Sequence, residues 1–290
     1  MYRSKKKIII TFLLPSLLGL LVFKVGAMLY SLYISFTEWN LFGDPEFVGL
    51  QNYIEIFHDD RFYEALKNTI LFIVGYLPIV VVLSLGIAIL LNSKVKGVNV
   101  FRGLFFLPVI TSWVAVSMIW KGLLNPEFGV INSIIEALGG TGPAWLQNPS
   151  FVIPAVIMVS VWKDVGFLSI IFLGGLQGIS QEYYEASRID GANKWHQFKS
   201  ITLPLLSPTT FYALIITIIN SFQVFDQIWI MTSGEPTADL VPVMVTEIYK
   251  NSFQYQKMGY ATALSWILFL IIIAVTIFQN VMQKKWVYYE

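Results

Sequence analysis

The sequence contains no cysteine, which excludes disulfides, thiolate metal centres and a cysteine nucleophile. Histidine is almost missing too. His58 and His196 are the two imidazoles in 290 residues, too few for a histidine-built metal site, so no metal ligand is assigned. Charge is sparse: Asp, Glu, Lys and Arg make up 13% of the chain, against about 25% in an average soluble protein. A phosphate loop of the form G-x-x-x-x-G-K-[ST] is absent, so the chain cannot cradle ATP in the usual way. What fills the sequence instead is apolar surface. At 56% hydrophobic residues, the composition is that of a membrane protein, read as all-α from the length of its apolar runs.

The apolar residues fall into six runs, at about 8–36, 68–91, 101–124, 151–179, 205–231 and 258–282. Each is long enough for the ~20 residues that a membrane helix needs. The first follows Arg3 and Lys5-Lys6-Lys7, as a secretory signal would. It exceeds the ~7–15 residues of a signal's apolar region and lacks a small-residue cleavage site, so it reads as a retained span. Lys24 interrupts it, close enough to an end to snorkel toward headgroups. Nothing suggests a soluble appendage, and 1–290 reads as a single transmembrane domain.

Cation placement orients the spans. With both termini inside, the inner segments hold Arg3, Lys5, Lys6, Lys7, Lys94, Lys96, Arg102, Arg188, Lys194, Lys199, Lys284 and Lys285. The outer segments hold Arg61, Lys67, Lys250 and Lys257. Twelve against four obeys the positive-inside rule. It also places the loop 180–204 in the cytoplasm.

That loop is polar and charged, yet carries Tyr183, Tyr184, Ile189, Trp195 and Phe198. Ser180 can cap a helix, with Glu182 in its positive first turn. Gly191 after Asp190 can break the helix, and Asn193 can start another. Pro204 suits the first turn of the following helix. The pattern allows an amphipathic segment lying on the membrane surface or a docking element for another protein, and periodicity does not separate them.

Glu185-Ala186-Ser187, then Asp190-Gly191, then Ile201-Thr202-Leu203-Pro204 resembles the EAA motif of the inner-membrane permease subunits of binding-protein-dependent ABC importers. The spacing fits without a gap, and Ser187 stands where the family usually has alanine. Arg102-Gly-Leu-Phe-Phe-Leu-Pro108, Gly129-Val-Ile-Asn132 and Gly259-Tyr-Ala-Thr-Ala263 are similar to other recurrent segments of the family. Thr232-Ser-Gly-Glu-Pro236 matches less well, because Glu235 stands where a second glycine is usual. The resemblance covers nearly the whole chain and is closest to the carbohydrate-uptake branch with maltose-type and glycerol-phosphate-type permeases.

The resemblance implies a six-helix type I importer permease fold in the inner or plasma membrane of a bacterium or archaeon. It implies a non-enzyme that moves a mono- or oligosaccharide into the cytoplasm. The implied partners are a second, homologous permease, two cytoplasmic ATPases that use ATP and Mg, and an extracytoplasmic solute-binding protein. Glu185, Ala186, Ser187, Asp190, Gly191, Ile201, Leu203 and Pro204 would then couple to an ATPase. Glycerol phosphate or another polyol is the alternative cargo.

Polar groups inside the spans are the candidates for the substrate pathway, because burying them in lipid is costly. They are Ser160, Lys163 and Asp164 in the fourth run, and Thr217, Asn220, Ser221, Gln223 and Asp226 in the fifth. Trp162 offers an aromatic face on which a sugar could stack. Lys163 and Asp164 are adjacent, so each needs its own partner, from water or a second permease. Serine and threonine in such helices also bond backbone, which is the structural alternative. From another class, an ion-coupled secondary transporter would use Lys163, Asp164 and Asp226 as a charge relay.

Overall fold

The computed structural model describes residues 2–93, 97–235, 237 and 239–288. Lys94, Lys96 and Pro236 therefore lie outside the described residues. The described residues fall into two compact units, those within 1–62 and 247–270, and those within 63–246 and 271–290.

In the first unit, α1 (Tyr2–Leu20) passes through a π-helical turn, Leu21–Gly26, into α2 (Ala27–Ile34). Lys24 sits in that turn. A two-stranded antiparallel ribbon follows, β1 (Thr37–Glu38) against β2 (Glu46–Phe47), in the register Thr37 to Phe47. Then comes α3 (Gln51–His58). Asn52 fixes the entry to the ribbon by donating to the carbonyls of Ser35 at 3.0 Å and Thr37 at 2.9 Å. The Gly259-Tyr260 pair is explained here. A methyl group at Gly259 would fall on the Thr37 carbonyl oxygen, and the Tyr260 hydroxyl donates to Asp59 at 2.6 Å. Ion pairs in this unit include Arg61 with Glu247 at 3.4 Å and Lys257 with Glu55 at 3.8 Å.

The second unit is built on long helices. α4 (Asp60–Leu91) enters it from the first unit, carrying Pro78. α5 (Val98–Ile110) and α6 (Trp113–Leu123) follow, then the short α7 (Val130–Ala137) and α8 (Pro149–Gly178). Asn148 caps α8, accepting from the Ser150 amide at 3.0 Å, with Pro149 at the start where no donor is needed. The core gathers on α8. Val152, Val156, Val159 and Phe172 are fully buried with Phe72, Leu206 and Ile228. Gly166 lets α8 touch the backbone of α5, since a methyl there would land on the Phe105 carbonyl. Small residues do this work between membrane helices, where hydrocarbon gives no solvent drive for association.

Two runs expected as unbroken spans are bent. In the third, α5 and α6 meet at 98°. Thr111 is extended there, and the Ser112 side chain caps α6 by accepting from the Val114 amide at 3.3 Å. The fifth run begins with α11 (Leu203–Leu205), reaches α12 (Ser207–Phe222) through a 63° bend, and stops at Phe222. It resumes only at α13 (Asp226–Thr232). Among the described residues, four helices are long and apolar enough to span, and the two bent pairs bring the number to six if each is one span. After α13 come α14 (Met244–Tyr249), a π-helical turn, Lys250–Gln254, and α15 (Met258–Gln283).

Lys121, in the last turn of α6, has definite partners. It donates to the Ser233 carbonyl and lies 3.4 Å from Glu235. Glu235, the residue that departs from the family's glycine, thus holds the turn after α13 to the end of α6. Asn132 plays a similar part after α7, accepting from the Trp145 indole at 2.7 Å and donating to the Pro126 and Pro143 carbonyls.

Between α8 and α12 the polar loop folds as helix, break, helix. α9 (Gln181–Ile189) is capped by Ser180, whose hydroxyl accepts from the Glu182 amide. Gly191 takes a left-handed conformation, φ +82°. Asn193 caps α10 (Lys194–Gln197), accepting from the His196 amide at 2.8 Å. A π-helical turn, Phe198–Thr202, leads to α11, where Pro204 falls in the first turn.

Candidate functional site

The second unit encloses a cavity of about 490 Å³. α8 supplies Ser160 and Asp164 to its wall, and α12 supplies Thr217, Asn220 and Ser221. These three share one face because residues three and four apart on a helix are neighbours. The helix stops just beyond them. Gln223 lines the cavity from the unwound link, and Asp226 and Gln227 line it from the start of α13. Seven of the nine residues expected in the pathway are thereby brought together: Ser160, Asp164, Thr217, Asn220, Ser221, Gln223 and Asp226.

Their hydrogen-bonding states differ. The Tyr76 hydroxyl, from α4, donates to Asp164 at 2.8 Å. Ser221 donates to the Thr217 carbonyl at 2.6 Å, so its proton is already committed to the helix. The Ser160 hydroxyl is 1% exposed and has no hydrogen-bond partner. A buried unpaired hydroxyl costs roughly 1–3 kcal/mol, and a ligand in the cavity would relieve that cost.

Two expected residues are placed elsewhere. Trp162 is exposed on the opposite side of α8, its ring edge-on to Trp120 with centroids 5.4 Å apart. It does not line the cavity, because helical spacing turns it away from Ser160 and Asp164. Lys163 is 4% exposed and also off the wall. Its Nζ donates to the Val109 carbonyl at 3.2 Å and lies 4.8 Å from the centre of the Trp113 ring. The reason is the break between α5 and α6. In a continued helix the Trp113 amide would serve the Val109 carbonyl, and the extended Thr111 prevents it. A cation at the carbonyl end of α5 is the favourable substitute. Lys163 and Asp164 therefore both find partners within this chain, where water or a second subunit was the expectation.

Sequence reasoning missed Tyr76, Trp113 and Gln227, as well as Phe72, Phe167 and Phe225, which give the cavity its aromatic surface. A signal existed for two of them. Adjacent buried charges demand partners, and Tyr76 and Trp113 are polar-tipped or cation-binding side chains inside apolar runs.

The motif residues on the 180–204 loop lie apart from the cavity. α9 has no buried residue, and Ile189 and Trp195 are 87% and 69% exposed. Glu185, Ala186, Asp190, Gly191 and Leu203 are exposed as well, while Ile201 packs partly on the core and Pro204 is half-buried. Ser187 has a task that alanine could not perform. Its hydroxyl donates to the Tyr184 carbonyl at 2.9 Å and accepts from Gln197 Nε2 at 2.9 Å. Gln197 also donates to the Tyr184 carbonyl, at 3.2 Å, and the Tyr184 hydroxyl meets Thr202 at 3.0 Å. Helix, break and second helix are thereby tied into one piece.

Comparison with known proteins bears on both regions. Residues 61–288 match the family described as binding-protein-dependent transport system inner membrane component. A probable starch degradation products transport system permease, AmyD of Thermoanaerobacterium thermosulfurigenes, is 31% identical, covering 94% of this chain and 93% of its own. The arabinooligosaccharides transport system permease AraP of Bacillus subtilis is 33% identical, covering 96% of this chain and 88% of its own. Among solved structures, a chain of a bacterial ABC transporter that imports the acidic polysaccharide alginate superposes with a TM-score of 0.86. It is 24% identical and covers 97% of this chain and 96% of that one. At that identity the likeness concerns the fold, which is that of a type I importer permease.

Proposed function

The chain belongs to the family of binding-protein-dependent transport system inner membrane components, and from that premise we propose that it is the permease subunit of an ATP-driven importer carrying a sugar into the cytoplasm. The observation that carries the cargo reading is the cavity. Its hydroxyls, amides and carboxylates can exchange hydrogen bonds with sugar hydroxyls, and Trp113 and Phe225 offer faces for sugar rings. The two permease relatives are named for starch degradation products and for arabinooligosaccharides. Membership of a binding-protein-dependent family sets the ion-coupled alternative aside.

We infer further that a solute-binding protein delivers the sugar outside, and that a second, homologous permease completes the pathway. Two cytoplasmic ATPases then supply energy from ATP and Mg, with both termini of this chain on their side of the membrane. The Gln181–Gln197 element suits an ATPase cleft, because it is self-supporting and presents Ile189 and Trp195 to solvent. Hydrolysis in the ATPases would move this rigid piece, and with it the break in the fifth run where the cavity lies.

The test is uptake of labelled maltotriose or arabinotriose into vesicles holding the co-purified complex, comparing wild type with Gly191→Pro. Proline cannot adopt φ +82° and has no amide to donate to the Arg188 carbonyl, now at 3.0 Å. Uptake should require ATP, and the variant should lose both uptake and retention of the ATPases. Uptake by this chain without any ATPase, indifferent to the substitution, refutes the reading.

A further inference from the structure

The cavity wall is acidic and has no basic counterpart. Asp164 and Asp226 line it, and among the described residues no lysine, arginine or histidine does. Lys163, next to Asp164 in the chain, is spent on the Val109 carbonyl and the Trp113 ring. The fold alone does not set this charge, since a chain of the same fold serves an importer of an acidic polysaccharide.

A saccharide bearing carboxylate or phosphate is held by arginine or lysine, whose donors match those oxygens. Two carboxylates in a concave, low-dielectric site do the opposite, because such walls focus the field and deplete anions. A saccharide with hydroxyls alone meets complementary groups. Asp164 and Asp226 accept from its hydroxyls, Asn220, Gln223 and Gln227 both donate and accept, and the unpartnered Ser160 hydroxyl gains a bond. Resting on the importer reading, we propose that this subunit's share of the pathway admits uncharged saccharides and excludes uronates and sugar phosphates. Glycerol phosphate is thereby excluded as cargo.

The absence of cysteine makes the field measurable. Ser160→Cys places one thiol in this chain, within the assembled complex whose other subunits have been freed of reactive cysteine. Its rates of modification by cationic and anionic methanethiosulfonates of similar size are compared with those of 2-mercaptoethanol in solution. The preference for the cationic reagent should exceed the solution preference by ~10-fold or more, and Asp226→Asn and Asp164→Asn should each lower it. A preference no greater than in solution overturns the proposal, as does protection of the thiol by trigalacturonate. Should Ser160→Cys fail to assemble, Thr217→Cys on the facing helix carries the same measurement. Labelling needs no transport. An acidic cavity found in a complex with no ATP-driven uptake would therefore count against the importer reading and leave the field assignment standing.

Discussion

Lys163→Met keeps the aliphatic stem of the lysine and removes only its ammonium. The variant loses a charge-assisted hydrogen bond to Val109 at 3.2 Å, nominally worth roughly 1.5–3 kcal/mol. It also loses the contact with the Trp113 ring at 4.8 Å, worth roughly 0.5–2 kcal/mol. Two effects reduce the sum. Hydrogen bonds between membrane helices average only about 0.6 kcal/mol when measured, because the unfolded chain in the membrane finds other partners. Removing a buried charge also returns its desolvation cost. We therefore expect a net destabilisation of about 2 kcal/mol, roughly a 30-fold shift in the folding equilibrium. Denaturant unfolding of the detergent-solubilised complex reads it. A double-mutant cycle with Trp113→Phe should show coupling of about 1 kcal/mol. Uptake should survive with a raised KM, because Trp113 lines the cavity and Lys163 only holds it. Stability within about 0.5 kcal/mol of wild type together with abolished uptake would refute this reasoning and make Lys163 a direct substrate contact.

Two further outcomes follow from packing and hydrogen bonding. Gly166→Ala should cost about 1–3 kcal/mol by driving α8 off α5, seen as a lower thermal midpoint; an unchanged midpoint means that the helices do not touch at the Phe105 carbonyl. Gln197→Ala removes the donor that ties α10 to Ser187 and Tyr184 of α9, a loss of about 1 kcal/mol. It should lower the sugar imported per ATP hydrolysed several-fold while the ATPases stay bound, and an unaltered ratio would show that the two short helices need no such tie.

The parts of this fold that were legible from sequence are those fixed locally. Ser180, Gly191 and Asn193 act on amides within three residues of themselves, so the helix, break and second helix could be read directly. The side-chain face of α12 followed from spacing for the same reason. The partners of Lys163 were not legible, because they come from 54 and 50 residues upstream and depend on a break in another helix. That break had a sign of its own, since Thr111-Ser112 inside an apolar run is a cap signature. The side of α8 on which Trp162 lies was not read, because composition identifies an aromatic but not its side of the helix. Helical phase from Ser160 and Asp164 would have turned it outward.

The spans differ greatly in how much protein surrounds them. In α8, 61% of the most apolar stretch is buried within the chain, whereas in Phe12–Ile34 none is. Mutation should meet these two helices under different rules. A replacement in α8 must reproduce a shape, since Val152, Val156 and Phe172 each fill a closed space. A replacement in Phe12–Ile34 meets no close packing from its own chain, so there apolar character should matter more than shape. Over generations the first span should drift freely among leucine, valine, phenylalanine and isoleucine. The lineage of this transporter would then be recorded in its first span, and its mechanism in the helix that has had no room to change.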